Sequence, residues 1–333
     1  MKIHPNLRRQ SLLTLEDISD SEMCELIDLA HYLKKKKRQQ HDTRQQWLRG
    51  LNFALLFEKS STRTRCAATV AGVDEGAHVE YLGKHDIHLG KKETVADTAR
   101  VLGRMFDGIL FRGFAHSTVE QLAAHAGIPV WNGLTDDWHP TQALADLMTV
   151  REHFGQFEGL RMVYMGDGRN NVCNSLMLAC AKAGINFVNC CPPQLAPTGE
   201  LLDKAERYAK EKKVEITVTD DVGKAVDGAN VLYTDVWVSM GEEDKMDERI
   251  KMLRPYQVNR DVVEATGNAD TGDLIFLHCL PAFHNKDTEV TRDLGALEVS
   301  DEVFEADISR VFDQAENRMH TIKAMMAATF AEE

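Results

Sequence analysis

Short apolar runs alternate with stretches of helical periodicity along most of the chain, and this alternation restricts the fold more than any single motif. In the first half the runs are LNFALLF (51–57), AHVEYL (77–82), DGILF (107–111) and IPVWN (128–132). The second half continues with LRMVYM (160–165), INFVNC (185–190), VEITV (214–218), ANVLYT (229–234), LIFLH (274–278) and ISRVFD (308–313). Strands separated by helices make parallel sheets with helices on both faces. The expected fold is therefore α/β, with two doubly wound parallel-sheet domains joined by interdomain helices. A length of 333 residues agrees with two domains, each of about 150 residues. The helical stretch PTQALADLMTVREHF (140–154) separates the two sets of strands, with Pro140 in a first turn where its missing N–H is harmless. QAENRMHTIKAMMAATF near the end, with Met319, Ile322, Met326 and Phe330 on one stripe, reads as a closing helix.

A formal charge of −13 argues against nucleic acid or a phospholipid surface as partner, since both need an extended basic face. Any anion site must be local. The first residues lack a signal-peptide core, and no run approaches the roughly 20 apolar residues of a membrane helix, so a cytoplasmic protein is expected. The seven cysteines are odd in number and form no C-x-x-C, which indicates neither a disulfide framework nor a zinc knuckle. Most are expected to be buried thiols. KKKKR (34–38) ends a predicted helix and reads as a solvated helix end.

In parallel sheets, ligands bind beyond the carboxyl ends of strands, where helix N-termini present free N–H groups. FEKSSTRTRCA (57–67) occupies such a strand-to-helix turn and crowds Ser61, Thr62, Arg63 and Thr64 together. Hydroxyls, amides and a guanidinium suit phosphate oxygens; a capped helix with surface arginines is the plainer alternative. Arg112 follows DGILF, and His139 and Gln142 open the helix at Pro140. Arg318 is placed near the start of the closing helix, which Asp313 and Glu316 prime in capping-box spacing. A cation there is misplaced against the dipole unless an anion or a carboxylate compensates it. VYMGDGRNNVCNS offers G-x-G but has Asn171 at the third glycine position, and the next strand ends without a ribose-holding acid. That excludes a dinucleotide site and leaves Asn171 to bond a small ligand. Asp235, Ser239 and Met240 follow ANVLYT, and Cys279 follows LIFLH. A carboxylate and a glycine-bearing turn fit the two ends of an amino acid.

Taken in order, SSTRTR (60–65), RG (112–113), HPTQ (139–142), DVWVSMG (235–241), HCLP (278–281) and the arginine of ENRMH (316–320) resemble the aspartate/ornithine carbamoyltransferase family over nearly the whole chain. STRTR, HPTQ and HCLP mark carbamoyltransferases broadly, and DVWVSMG is similar to the ornithine-specific members. The resemblance implies transfer of the carbamoyl group of carbamoyl phosphate to the side-chain amine of L-ornithine, giving L-citrulline and phosphate, or the reverse in arginine degradation. It implies a carbamoyl phosphate-binding domain over 1–150, with a C-terminal helix 318–333 packing back on it, and an ornithine-binding domain over 151–317. Ser61, Thr62, Arg63, Thr64 and Arg112 would hold phosphate; His139, Gln142 and Arg318 would address the carbamoyl end. Asn171, Asp235, Ser239 and Met240 would hold the amino acid, with Cys279 and Leu280 against both substrates. Catalysis would fall to Arg112, His139, Cys279 and Arg318, without metal or other cofactor, and domain closure would exclude water. The loop LGKHDIHLGKKET (82–94) would carry His88 into a neighbouring subunit's site, which implies a homotrimer or a multiple of it. The competing expectations are another amine acceptor, such as putrescine, an acetylated ornithine or aspartate, and a silent scaffold that keeps the fold.

Overall fold

The computed structural model describes residues 5–39, 46–90, 92–238 and 245–330. In chain order the strands are β1 (Asn52–Phe57), β2 (His78–Leu82), β3 (Gly108–Arg112), β4 (Val130–Leu134), β5 (Arg161–Met165), β6 (Asn186–Cys190), β7 (Ile216–Thr219), β8 (Val231–Thr234) and β9 (Ile275–His278). The helices are α1 (Asp20–Gln39), α2 (Thr62–Asp74), α3 (Val95–Leu102), α4 (His116–Ala126), α5 (Pro140–Phe154), α6 (Asn171–Ala183), α7 (Gly199–Lys212), α8 (Val222–Val226), α9 (Met246–Leu253), α10 (Arg260–Ala265), α11 (Asp301–Phe304) and α12 (Val311–Phe330).

The described residues up to Met148 and from Glu316 onward form one compact unit, and Thr149–Ala315 form a second. The chain crosses between the units within α5 and within α12. In the first unit the strands are parallel in the order β2-β1-β3-β4. β1 is buried from Phe53 onward because both faces are covered. On one face Ala54, Leu56, Ile109 and Phe111 pack with Ala99, Leu102, Val119 and Leu122 of α3 and α4. On the other, Phe330 of α12 meets Phe53 and Trp131 at ring separations of 5.4 and 6.2 Å. The second unit is parallel in the order β7-β6-β5-β8-β9. There Val163, Met165, Leu232 and Phe276 pack with Leu253, Val262, Val303 and Phe304.

ISRVFD is not a strand. Ile308 and Arg310 bracket Phe276 with two backbone hydrogen bonds of 2.8 and 2.9 Å, which close the outer edge of β9, and α12 begins at Val311. Three apolar positions in six residues fit either period, and the helical continuation wins because α12 has an apolar stripe to bury. α12 therefore starts earlier than residue 318. Arg318 lies about two turns inside it, and Asp313 is a helical residue, not a cap. Arg318 is thus no cation at the positive end of a helix dipole.

KKKKR is not merely a solvated end either. Lys34 continues the Met23, Ile27, Ala30 stripe of α1 by helical phase, so it is buried, and it donates to Asn317 Oδ1 at 2.7 Å. Lys37 pairs with Asp74, which Lys323 also contacts at 2.6 Å. Cys173, Cys180, Cys190 and Cys191 are buried, Cys24 and Cys279 half-buried, and Cys66 exposed. No helix among the described residues is long and apolar enough to cross a membrane.

Candidate active site

In the first unit the strand order runs outward in opposite directions from the β1/β3 pair, the position at which an α/β sheet opens a crevice at its carboxyl ends. The turn after β1 lies there. Ser61 has extended backbone and caps α2, its hydroxyl accepting from the Thr64 N–H at 3.2 Å. Thr62 is exposed, Arg63 half-buried and Thr64 buried. Arg112 pairs in register with Phe57, and its carbonyl accepts from the Glu58 N–H at 2.8 Å, so it stands beside the same turn. The next residue is glycine because a Cβ there would come within 2.2 Å of both the Glu58 carboxylate and the Phe111 ring.

α5 and α12 complete the cluster. Arg318 Nη2 donates to Thr64 Oγ1 at 3.0 Å and to Thr141 Oγ1 at 3.5 Å, and that threonine hydroxyl lies 3.4 Å from His139 Nδ1. His139, Thr141, Gln142 and Arg318 are all buried. Burial first, and then the charges of Arg318, Arg112 and Arg63, push the His139 imidazole well below its ordinary range. Three guanidiniums thus surround a neutral ring at the N-terminus of α2, an arrangement that favours a dianion and leaves the ring N–H free of net charge. Gln142 Nε2 donates to the buried carboxylate of Asp146 at 2.8 Å. His88 is exposed in the loop after β2, its carbonyl accepting from Lys92 N–H, and the structure does not join it to this hydrogen-bonded cluster.

The second unit has its switch point between β5 and β8. Asn170 caps α6, its oxygen accepting from the Val172 N–H at 2.7 Å and its nitrogen donating to Asp235 Oδ2 at 3.0 Å. The Cys279 thiol donates to Asp235 Oδ1 at 3.0 Å, as does the Val236 N–H at 2.8 Å. Asn171 is the first residue of α6, half-buried next to that cap. Ser239 and Met240 lie outside the described residues.

A buried scaffold holds the HCLP turn. Leu280 has φ +62° and donates its N–H to His278 Nδ1 at 2.9 Å, so the ring hydrogen sits on Nε2 and is donated to Glu298 Oε1 at 3.1 Å. Gln314 accepts from the His278 N–H at 2.9 Å and donates to the Tyr233 hydroxyl at 3.1 Å. Ligand atoms of Asp235, His278 and Cys279 fall within 4.8 Å of one another, a spacing a metal ion can use. His278 has both nitrogens committed, however, so the group reads as a hydrogen-bonded cluster.

The sequence reading missed Thr141, Asp146, Asn170, His278, Glu298 and Gln314. Thr141, Asp146, Asn170, His278 and Gln314 stand inside quoted stretches; Glu298 and Gln314 meet His278 across 20 and 36 residues, separations that no local pattern marks.

Residues 10–152 match the model of the aspartate/ornithine carbamoyltransferase carbamoyl-P binding domain, and residues 158–329 match that of the Asp/Orn binding domain. The chain is 58% identical to a catabolic ornithine carbamoyltransferase of Bacillus licheniformis, over 98% of each chain. It is 56% identical to one of Enterococcus faecalis, over 96% of this chain and 95% of that one. Among solved structures, the ornithine carbamoyltransferase of Pyrococcus furiosus is 41% identical with a TM-score of 0.89, covering 97% of this chain and 98% of that chain. With both domain models matched in order, and two charged half-sites at the switch points of its sheets, the chain belongs to the aspartate/ornithine carbamoyltransferase family.

Proposed function

We propose that the chain transfers a carbamoyl group between phosphate and the side-chain amine of L-ornithine, and that in the cell it works mainly from citrulline and phosphate back to carbamoyl phosphate. The catabolic names of the Bacillus licheniformis and Enterococcus faecalis relatives, 58% and 56% identical, support the direction. The observation that carries the chemistry is the buried, neutral His139 ringed by Arg318, Arg112 and Arg63.

In this reading the N-terminus of α2, with Ser61, Thr62, Arg63 and Thr64, and Arg112 hold the phosphate. Thr64, Arg112 and His139 donate to the carbonyl oxygen as it gains charge in the tetrahedral transition state. Gln142 and Arg318 orient the carbamoyl group. Asp235 takes the α-ammonium, Asn171, Ser239 and Met240 hold the rest of the amino-acid backbone, and Cys279 and Leu280 flank the reacting centre. The attacking nitrogen must be neutral, although a free alkylamine titrates near 10. It loses its proton as the C–N bond forms, and the departing phosphate accepts that proton as the C–O bond breaks. Neither a metal nor an organic cofactor is required for this balance.

By family pattern the protein is a cytoplasmic homotrimer or a multiple of one, with His88 serving a neighbouring subunit. Phosphate release measured with ornithine, putrescine, acetylated ornithine and aspartate tests the acceptor, and citrulline phosphorolysis tests the direction. Ornithine is expected to turn over fastest; a higher kcat/KM for putrescine overturns the assignment. Light scattering should return three chains of 37.4 kDa, or a multiple.

A further inference from the structure

Gln142 sits in the first turn of α5 with only one end of its amide satisfied among the described residues. Its Nε2 donates to Asp146 Oδ1 at 2.8 Å, whereas its Oε1 is buried and has no partner among the described residues. The two ends of a primary amide have nearly the same shape, so the partner decides which way the group faces. Asp146 is four residues on, on the same face of the helix, and fully buried. Asp146 Oδ1 accepts from the nitrogen, which turns the oxygen of the amide away from it. A buried acceptor without a donor is costly, and a water or a ligand that supplies an N–H or O–H removes the cost.

Carbamoyl phosphate offers this oxygen one kind of donor. Its phosphate and carbonyl oxygens accept, and only its amino group donates. We propose that Asp146 is a positioning residue that fixes the Gln142 amide with Oε1 toward the donor's amino group, and so makes the site select a carbamoyl phosphate over an acyl phosphate. This rests on the reading of the anion site given above. An acyl phosphate puts a methyl group where the amine would be and leaves Oε1 unpaired. Sites built around a hydrogen bond discriminate most strongly against the analogue that lacks it.

Two stable analogues isolate the contact: phosphonoacetamide, which carries the amine, and 2-oxopropylphosphonate, which carries a methyl group instead. Calorimetry on the full chain should show the wild type preferring the amide by about tenfold. Asp146→Ala should bring that ratio below about threefold, because the Gln142 amide can then turn. Asp146→Asn still offers Gln142 a carbonyl oxygen and should keep most of the preference. A wild-type ratio in Asp146→Ala, a parallel loss of both affinities, or equal loss of the ratio in the Ala and Asn variants overturns the proposal. Equal binding of the two analogues by wild type overturns it while leaving the anion site standing; binding of neither removes the anion-site reading itself. If Asp146→Ala does not fold, a crystal structure of the wild type with phosphonoacetamide decides. The ligand nitrogen on Gln142 Oε1, with Nε2 still on Asp146, supports the assignment, and a ligand nitrogen placed elsewhere refutes it.

Discussion

The two units place their clusters at equivalent points of equivalent sheets, yet the electrostatics are opposite. Beyond β1 and β3, burial and three arginines act in the same direction on His139 and remove its charge. Beyond β5 and β8, burial and the surrounding Asp235, Cys173, Asp167 and Cys279 push the Tyr164 phenol well above its usual range. The fold supplies the location, at strand ends with a helix N-terminus nearby, while side chains set the sign. A chain with net charge −13 sets three arginines around His139 in its first unit and leaves the Tyr164 surroundings of its second unit acidic.

The sharpest way to break this contrast is one substitution in each half. On the proposed reading Arg63→Ala removes charged hydrogen bonds to phosphate worth about 1.5–3 kcal/mol each, so carbamoyl phosphate affinity should fall about 10²–10³-fold with the melting temperature nearly unchanged. Asp235→Asn should leave that affinity within about twofold and lower kcat/KM for ornithine about 10²-fold, because an ammonium loses its counter-charge. Calorimetry with phosphonoacetamide and steady-state kinetics separate the two. If Asp235→Asn weakens the phosphonate as much as Arg63→Ala does, the half-sites are not separable in function.

A smaller effect sharpens the comparison through pH. In the first unit His139 and His116 are depressed, His116 by burial first, and burial brings His320 down to about 4. Their unfolded forms take up protons below about 6.5 while the folded forms do not, so stability is full above that value and falls as the pH drops. In the second unit Cys190 and Cys191 are raised by burial to about 12, and Cys173 and Tyr164 well above their usual values. These groups ionise first in the unfolded chain, so the second unit's stability is full below about 9 and falls as the pH rises. Hydrogen exchange resolved by peptide, corrected for intrinsic rates, should show the first unit opening first at pH 5 and the second at pH 10. The reverse order would mean that the two fields do not govern stability.

Strands β1 to β9 were legible in sequence because apolar runs mark buried strands, and the polar groups that cluster in each unit follow those runs directly. Thr64 and Arg112 needed only their positions after LNFALLF and DGILF, respectively. The start of α12 was misplaced because ISRVFD carries both periods, and Lys34 because a charge on an apolar stripe looks solvated until its partner Asn317 is known. Asp146, Asn170 and Glu298 were missed for a related reason. Each acts by orienting another side chain, and an orienting carboxylate or amide has no pattern of its own.

The smallest expected effect compares the two arginines of STRTR. Arg63 is half-buried and contributes to the field on His139, whereas Arg65 is exposed and lies over the Tyr81 ring, 3.8 Å from its centroid. Tyr81 in turn packs edge-on against Phe57 at 5.3 Å, so Arg65 caps an aromatic pair at the end of β1. An exposed cation–π contact is weak, and Arg65→Ala should lower the melting temperature by only about 1–3 °C. Carbamoyl phosphate affinity should stay within about twofold of wild type, since no phosphate bond is removed. Arg65→Lys should recover part of the lost stability, as an ammonium still sits over the ring. A loss of affinity in Arg65→Ala comparable to that of Arg63→Ala would mean that the two residues share one anion, and that the turn after β1 works as a pair of forks.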